Sequence, residues 1–487
     1  MSISSLSAAQ ISALVVTQIQ ALTVTDMQSL SATQVGAINV TDVAVLAGTQ
    51  VAALSAAQVK GFTATQLPHL QSTIVFDTTQ LSVLNGPQIA SFTTAQVDAI
   101  DATHITALSA AQLGSLSATN FSSLNTTQVQ ALSTTQVKGL SATELGGLST
   151  ADVAEFTSTQ VGALSSSQIG ALSATNFSAL SSTQVGALSA TQLAGVTTTQ
   201  IKGLSTTDIG EFNATQIDAL NASQLGALSS ANLSQLSSTE VSALSSAQVQ
   251  GLTSTQLGGL SSTDLGKFGT TQIAGLTTSQ VNALGSTNVG TLNATQVGAL
   301  TAAQVGGLSA TNLSALLEGG HASTLNATQV AGLSTSQLKG LSTTDFGDLN
   351  TTQITGLTAG QLGSLSATNF SSLNTTQVQA LSTTQVKGLS ATELGGLSTA
   401  DFAEFTSTQV GVLSTTQIGA FTPTVIGALS TTEVGTIQAS QIPGLTTSQI
   451  GLLSSTNITS MNPTQIAAFT ATQVQAMNST QIAAYLG

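Results

Sequence analysis

Residues 148–195 read LSTADVAE, FTSTQVGA, LSSSQIGA, LSATNFSA, LSSTQVGA and LSATQLAG, and this period of eight decides the fold. We call the positions a to h. Position a is apolar and most often Leu, b is Ser, Thr or Asn, e is mostly Gln, f is Val, Ile, Leu or Phe, and h is Ala or Gly. Sixty such units run from Leu6 to Tyr485. An internal repeat of this kind predicts a repeat architecture before any single motif is considered.

The residue types within the octad predict a short helix that restarts in every unit. On one continuous α-helix, successive Leu residues would be rotated by about 80°, and no stable apolar stripe would form. The side chain at b is a typical N-cap, and Gln, Glu or Asp at e, three residues later, completes a capping box. Position f and the following a then share one helix face and are predicted to be buried. We expect h to lie where helices cross, and c, d and g to face solvent.

These helices predict an all-α repeat, because one octad cannot bury enough apolar surface to fold alone, whereas stacked octads share a continuous core. We expect a solenoid of very short capped helices that covers residues 1–487 as one continuous domain. A β-solenoid is the alternative, although a and f, five residues apart, would fall on opposite faces of a strand. The register breaks at residues 70–75 and again at residues 316–324. In the second break, residues 318–321 (EGGH) predict a surface bulge that absorbs one extra residue.

A longer period appears in the exceptions at position e, where Asn and Asp recur every 56 residues, or seven octads. These residues are Asn120, Asn176, Asn232, Asn288, Asp152, Asp208 and Asp264. Duplication by whole octads explains the spacing, and residues 116–171 recur almost unchanged at residues 365–420. The alternative explanation is geometric: seven octads would complete two superhelical turns of about three and a half units each.

Composition excludes several functional classes. The chain has no Cys, which rules out disulfides and thiolate metal sites. Only six residues are basic, all of them Lys, which argues against nucleic acid as a partner. No stretch approaches the roughly eighteen consecutive apolar residues of a membrane span. Residues 1–15 lack the basic and long apolar segments of a secretory signal peptide.

We find no residue pattern typical of an enzyme and expect neither catalysis nor a cofactor. The three histidines, His69, His104 and His321, lie in different octads. A nucleophile needs a base and an orienting group within hydrogen-bond reach, and no such arrangement is indicated.

Four pairs of carboxylates are spaced three residues apart, which places both on one side of a short helix. The pairs are Asp152 with Glu155, Asp208 with Glu211, Asp345 with Asp348, and Asp401 with Glu404. Hard oxygen ligands of this kind are candidates for calcium on an outer rim. The structural reading, a cap at e and a solvated acid at h, is favoured, since Lys267 takes the second position after Asp264.

The unit L-S-[AT]-T-Q-[VIL]-x-[AG], as in residues 188–195 (LSATQLAG), resembles long Ala/Thr/Gln-rich octad-repeat proteins of bacteria, often described as surface or haem-utilisation adhesins. The net charge of −14, the absence of Cys and the few Lys are similar to S-layer proteins and adhesins exported by type I machinery through a C-terminal signal. The resemblance implies an extracellular or cell-surface location without an N-terminal signal peptide. The cytoplasm is the alternative location.

We therefore expect a structural protein that assembles with further copies of itself, head to tail or laterally, into an extracellular filament or a cell-surface layer. A surface rich in Ser, Thr and Gln offers little charge repulsion against such contacts, and repeats run almost to both ends without a polar capping unit. The alternative is a monomeric adhesin stalk, or a module that binds ice or displays another ligand on its repeated hydroxyl face.

Overall fold

A computed structural model describes residues 3–487, and every regular element in those residues is a helix. Met1 and Ser2, which the single-domain prediction includes, lie outside the described residues. Backbone contacts divide the chain into two compact units, residues 1–244 and 245–487. Each unit is an all-α repeat solenoid of short helices, so the predicted fold class is confirmed and the β-solenoid alternative is wrong. The continuity of one solenoid over residues 1–487 stays a prediction.

The first unit contains helices α1 to α28, in chain order Ala8–Ser12, Val16–Gln20, Val24–Ser29, Ala32–Ala37, Val40–Val43, Gly48–Ala52, Ala56–Val59, Thr78–Ser82, Gly86–Ala90, Thr94–Asp98, Ala102–Ile105, Ala110–Leu113, Ala118–Ser122, Thr126–Ala131, Thr134–Val137, Ala142–Gly147, Thr150–Glu155, Ser158–Ala163, Ser166–Ala171, Ala174–Ser178, Ser182–Gly186, Ala190–Leu193, Thr198–Gly203, Thr206–Ile209, Ala214–Asp218, Ala222–Leu225, Ser230–Gln235 and Ser238–Ala243.

The second unit contains α29 to α56, in chain order Ser246–Gln250, Ser254–Gly258, Ser262–Leu265, Thr270–Gly275, Thr278–Ala283, Gly285–Gly290, Ala294–Ala299, Ala302–Gly306, Ala310–Leu316, Ala327–Ala331, Thr335–Gly340, Thr343–Gly347, Thr351–Gly356, Ala359–Leu362, Ala367–Ser371, Thr375–Ala380, Thr383–Lys387, Ala391–Gly395, Thr399–Ala403, Ser407–Gly411, Thr415–Ala420, Pro423–Gly427, Thr431–Thr436, Thr447–Leu452, Ser455–Ser460, Pro463–Ala467, Ala471–Gln475 and Ser479–Leu486. Short 3₁₀ or π turns lie at Ile3–Ser5, Leu67–His69, Leu317–His321, Ala322–Thr324 and Ala439–Gly444.

Nearly all helices begin one residue after position b, as the capping pattern predicts. Before α21, Ser181 is extended (φ −69°, ψ 158°), and its Oγ accepts a hydrogen bond from the backbone N–H of Gln184 at 3.4 Å. Gln184 Oε1 accepts the backbone N–H of Ser181 at 2.8 Å, which completes the capping box. Helices end before a because this residue is extended, as at Leu132 (φ −62°, ψ 131°). The hydroxyl at b therefore ends one helix segment and starts the next.

The core consists of the f and a side chains, as predicted. The f and a side chains of every regular octad are buried from Met27 to Leu244 in the first unit and from Val249 to Met461 in the second. The exceptions lie at the register breaks, where Val75 is exposed and His321 is half-buried. Within each unit most helices pack on the third helix along the chain, for example α13 on α16 and α16 on α19. One superhelical turn therefore contains between three and four octads.

Helix crossings place backbone against backbone. A Cβ added at Gly139, an h residue, would lie 2.2 Å from the carbonyl oxygen of Ala110, and one at Gly114 would lie 2.1 Å from that of Gly139. The prediction that h lies at crossings is confirmed here. The prediction that c and g face solvent is wrong at this crossing, because Ala110 is a c residue and Gly114 a g residue. A turn of a non-integral number of octads brings c and g of one turn against h of the next.

Both register breaks are absorbed locally. Regular Gln side chains at e bond to carbonyls 28 and 31 residues earlier. After the six-residue unit, Gln80 bonds to carbonyls 26 and 29 residues earlier, and after the nine-residue unit, Gln329 bonds to carbonyls 29 and 32 residues earlier. Gly320 (φ 82°) lies in the left-handed region within the predicted bulge. The contact between turns is thus preserved while the chain loses two residues or gains one.

Loss of one N-cap hydroxyl is expected to have a modest, local effect on the free energy of unfolding. Ser165 Oγ accepts the backbone N–H of Gln168 at 3.2 Å, so Ser165→Ala is expected to lower the free energy of unfolding by about 1 kcal/mol. Ser167→Ala, two residues on at an exposed d position, serves as the control and is expected to change it by less than about 0.5 kcal/mol. Urea unfolding followed by circular dichroism measures both. Equal losses for the two variants would contradict the capping role.

Candidate functional site: the glutamine ladder and the acidic pairs

The Gln side chain at e joins successive turns of the solenoid. Gln184 is 3 % exposed, and its Nε2 donates to the carbonyl oxygen of Val153 at 3.0 Å and to that of Phe156 at 2.7 Å. These acceptors lie 31 and 28 residues earlier in the chain. The same pair of bonds recurs with similar distances through both units, as at Gln200 and Gln449. We call this set of bonds the glutamine ladder.

The glutamine ladder supplies hydrogen-bond partners to the ends of these very short helices. Every helix leaves N–H groups at its start and carbonyls at its end without partners inside the helix. Gln184 Oε1 accepts the N–H that precedes its own helix, and Gln184 Nε2 donates to carbonyls at the end of α17, one turn below. One amide therefore caps two helices, and a buried amide with all its bonds made is stabilising.

The 28-residue spacing of the ladder is half of the longer sequence period. Twenty-eight residues are three and a half octads, so the 56-residue recurrence of Asn and Asp equals two such spacings. This numerical agreement supports the geometric explanation of the period.

Helices with Asn at e contact helices with Asp at e in the next turn, through a Ser hydroxyl. Asn176 is one methylene shorter than Gln, and its Nδ2 donates to a single carbonyl, that of Leu148, at 2.8 Å. Ser178, in the same helix as Asn176, donates through Oγ to Asp208 Oδ2 at 2.5 Å. The arrangement recurs with Ser122 and Asp152, at 2.5 Å. At Asp152, Asp208 and Asp401, a Ser hydroxyl one turn below makes the inter-turn bond in place of Gln.

The second acids of two predicted calcium pairs also contact the turn below. Glu155 Oε1 accepts the Thr126 hydroxyl at 3.0 Å, and Glu404 Oε1 accepts the Thr375 hydroxyl at 3.1 Å. Burial raises the pKa of Glu404; the bond from Thr375 opposes this, and the charge of Asp401 adds to it. These carboxylates are therefore partly desolvated acceptors at the contact between turns.

The remaining pairs differ in their partners. Burial raises the pKa of Glu211, and the charge of Asp208 raises it further. Burial acts against ionisation of Asp208 too, but hydrogen bonds from Ser178 and Ser205 outweigh it and lower the pKa. Asp345 accepts the hydroxyl of its own N-cap residue at 2.7 Å, and Asp348 is the C-cap residue of α40.

Within residues 3–487, groups of three or more His, Cys, Asp or Glu side chains arranged to hold a metal ion are absent. At least one acid of each pair accepts a hydrogen bond from a protein hydroxyl. Calcium binding at Asp152 and Glu155 and at the equivalent pairs stays a prediction.

Lys267 shows how a cation at position h changes the pKa of the acid at position e. Its Nζ lies 2.9 Å from Asp264 Oδ1. Burial alone would raise the pKa of Asp264, but the bonds from Ser261 and Lys267 outweigh it and lower the pKa to about 2. This carboxylate is ionised throughout the physiological range.

The histidines lie in separate surroundings. His104 Nδ1 is 2.7 Å from Oδ1 of Asp101, the N-cap residue of its own helix. His69 ends the 3₁₀ turn before the first register break, and His321 ends the π turn of the second break. The structure therefore does not bring the three together, and the absence of an enzymatic activity stays a prediction.

None of the helices in residues 3–487 combines the length and apolar character needed to cross a bilayer.

The inter-turn bond of Gln was not predicted from sequence, although a signal for it is present. A capping box accepts Glu as readily as Gln at the third position. The strong preference for Gln at e indicates that an N–H donor is needed as well as an acceptor. Because the acceptors lie 28 and 31 residues away, local pattern reading does not identify them.

The ALTTAQ repeat family matches two stretches, residues 142–174 in the first compact unit and residues 259–294 in the second. The first stretch contains Ala163–Gln168 (ALSSSQ), which covers positions h to e of the octad. No curated protein matches the chain. The protein is therefore a helical repeat protein that is similar to the ALTTAQ repeat family in one stretch of each unit.

Proposed function

We propose that this protein is structural and assembles head to tail with further copies of itself. The observation that carries the proposal is that the two sides of a turn are complementary: one side presents the Gln donors of the ladder and the other side presents its acceptor carbonyls. In the interior of each unit, the e and a residues of one turn rest on the f residues and a carbonyls of the turn below. Within residues 3–487, the donors at Gln10 and the acceptors at Met461 are not bonded to another turn.

The first face displays donors and half-buried leucines. Gln10 and Gln18 make the capping-box bond through Oε1, and their Nε2 atoms have no acceptor in residues 3–487. Both side chains are exposed, whereas Gln34, which bonds to the turn below, is 6 % exposed. The a residues of this turn, Leu6 and Leu14, are only half-buried. We call this the donor face.

The second face displays acceptors and half-buried β-branched residues. Within residues 3–487, the carbonyls of Met461 and Phe469 accept no bond from another turn, unlike the carbonyl of Leu453, which accepts a bond from Gln481. The f residues of this turn are half-buried, unlike those of the interior: Ile466, Val474 and Ile482. We call this the acceptor face.

The two faces match in spacing as well as in chemistry. Gln10 and Gln18 are eight residues apart, as are Met461 and Phe469. A second copy seated by its donor face on this acceptor face would continue the glutamine ladder and cover the half-buried residues of both copies. With 5 % charged residues, neither face has strong charge repulsion to overcome. Such a heterologous contact produces a filament when successive copies do not close into a ring.

The test is assembly measured by sedimentation velocity and electron microscopy. The wild-type protein is expected to form filaments or a ladder of oligomers that grows with concentration. The double variant Ile466→Lys/Val474→Lys places two charges in the acceptor face and is expected to sediment as a monomer. The control variant Thr456→Lys/Thr472→Lys adds the same charge at exposed d positions nearby and is expected to assemble like the wild type.

Two outcomes would contradict this proposal. A wild-type protein that remains dispersed as single rods at high concentration favours a monomeric stalk or ligand-display module. Equal loss of assembly in the test and control variants would mean that charge, not the acceptor face, governs association.

We further propose an extracellular or cell-surface location, supported by the similarity in composition to exported surface proteins and by a surface rich in Ser and Thr. Antibody labelling of intact cells is expected to detect the protein. Labelling that requires lysis would contradict this location.

A further inference from the structure

Two e positions carry Glu that is buried as deeply as the ladder Gln residues. Glu144 in the first unit and Glu393 in the second are each 1 % exposed. Oε2 of Glu144 accepts the backbone N–H of Ser141 at 2.6 Å, and Oε2 of Glu393 accepts that of Ser390 at 2.6 Å. In both residues Oε1 is buried without a hydrogen-bond partner.

The unpartnered oxygen occupies the place in the octad where Gln carries its Nε2. Eight residues before Glu144, Gln136 Nε2 donates to the carbonyl of Leu108, 28 residues earlier, at 2.8 Å. The corresponding carbonyl for Glu144 is that of Leu116, and it accepts no bond from another turn in residues 3–487. By its position in the octad, the Oε1 acceptor of Glu144 is paired with a second acceptor where the ladder elsewhere pairs a donor with an acceptor.

We propose that Glu144 and Glu393 are protonated in the folded protein and donate the ladder bond through Oε1–H, so that each unit contains one inter-turn bond that is lost when the pH rises. A carboxylic acid has the shape of the Gln amide and supplies the missing donor. An ionised carboxylate has no proton to donate and faces the carbonyl as a second acceptor, which leaves buried polar groups unpaired.

The surroundings of Glu144 offer no cation to hold it in the charged form. The helices packed against α16 are α13 and α19, and neither contains a charged residue. The neighbouring octads contribute Lys138 and Asp152, and neither forms an ion pair with Glu144. Burial raises the pKa of Glu144 above its ordinary value, against the bonds from Ser141.

The surroundings of Glu393 are similar, except that the charge of Lys339 also acts on it. The helices packed against it, α43 and α49, contain no charged residue, and the neighbouring octads contribute Lys387 and Asp401. Burial raises the pKa of Glu393, while bonds from Ser390, the backbone of Leu365 and the charge of Lys339 lower it by less.

The direction of the pH effect follows from these raised values. A group whose pKa is higher in the folded than in the unfolded state stabilises the fold fully below the unfolded value, and this stabilisation is lost as the pH rises through the folded value. Stability should therefore fall with increasing pH above the ordinary range of Glu. Asp264, with a pKa of about 2, stays ionised over this window and does not contribute. Glu211 and Glu404, whose pKa values burial also raises, add a smaller dependence of the same sign because they are only half-buried.

The test compares thermal unfolding of the full chain at about pH 5 and about pH 8. The wild type is expected to lose several degrees of Tm between these pH values, and Glu144→Gln/Glu393→Gln is expected to raise the Tm at the higher pH by about 3 °C or more and to remove most of the dependence. Glu240→Gln is the control: Glu240 also lies at e and accepts a backbone N–H at 2.7 Å, but it is partly exposed. This variant should keep the wild-type pH dependence.

A local readout separates protonation from a general effect of net charge. The amide signal of Ser141, whose N–H contacts Glu144, should shift in an NMR titration with a midpoint above that of an exposed Glu, and this shift should vanish in Glu144→Gln. The proposal is overturned if the midpoint is that of an exposed Glu, if the double variant keeps the wild-type pH dependence, or if the control abolishes it.

Discussion

Gln184→Ala is expected to lower the free energy of unfolding by roughly 3–5 kcal/mol, several times the effect of losing an N-cap hydroxyl. The truncation removes the acceptor for the Ser181 N–H and the donor for the carbonyl of Phe156. The Val153 carbonyl loses one bond and keeps the one from the N–H of Phe156. Each buried group left without a partner costs about 1–3 kcal/mol, and the cavity left by the side chain adds to the loss.

The chain contains a matched control for this prediction. Gln10 makes the same capping-box bond through Oε1, at 2.9 Å, but is exposed and makes no bond to another turn. Gln10→Ala is therefore expected to cost less than about 1 kcal/mol. Urea unfolding at a concentration where the protein is monomeric measures both, and hydrogen exchange locates the loss. Similar effects for Gln10 and Gln184 would show that the ladder contributes little beyond capping.

Two glycines in one octad should respond to the same substitution with opposite sign. A Cβ at Gly363 would lie 2.0 Å from the carbonyl oxygen of Gly388, whereas one at Gly360 would meet nothing within 4 Å. Gly363→Ala is expected to destabilise the second unit by about 1–3 kcal/mol, because two backbones must separate. Their separation also strains the bond from Gln385 to the carbonyl of Leu357, now 2.8 Å long.

Gly360→Ala is the control and is expected to stabilise the second unit by about 0.5–1 kcal/mol, because Ala favours the helix that Gly360 occupies and no contact opposes it. Thermal and urea unfolding of the two variants measure the difference. Stabilisation by both substitutions would mean that the turns are not in close contact at Gly363.

The partners and the burial of many residues in the candidate site could not be predicted from the sequence. The acidic pairs were recognised from their spacing, but their donors, such as Thr126 for Glu155, lie 29 residues away. The donor and acceptor faces become visible only when Gln34 and Gln10 are compared, since both follow the same octad pattern and only one has a turn beneath it. The burial of Glu144, against the partial exposure of Glu240 at the same octad position, likewise had no local signal.

The short helices, their caps, the buried f and a residues and the two register breaks could be predicted from the sequence, because each depends on residues within about one octad. The length of a turn, the second partner of each Gln, the contact of c and g with the next turn, and the setting of Glu144 and Glu393 can be identified only in the folded chain. These depend on how far the chain winds before it meets itself. That distance is set by the packing of many side chains together, and 28 residues separate the Gln donor from its acceptor.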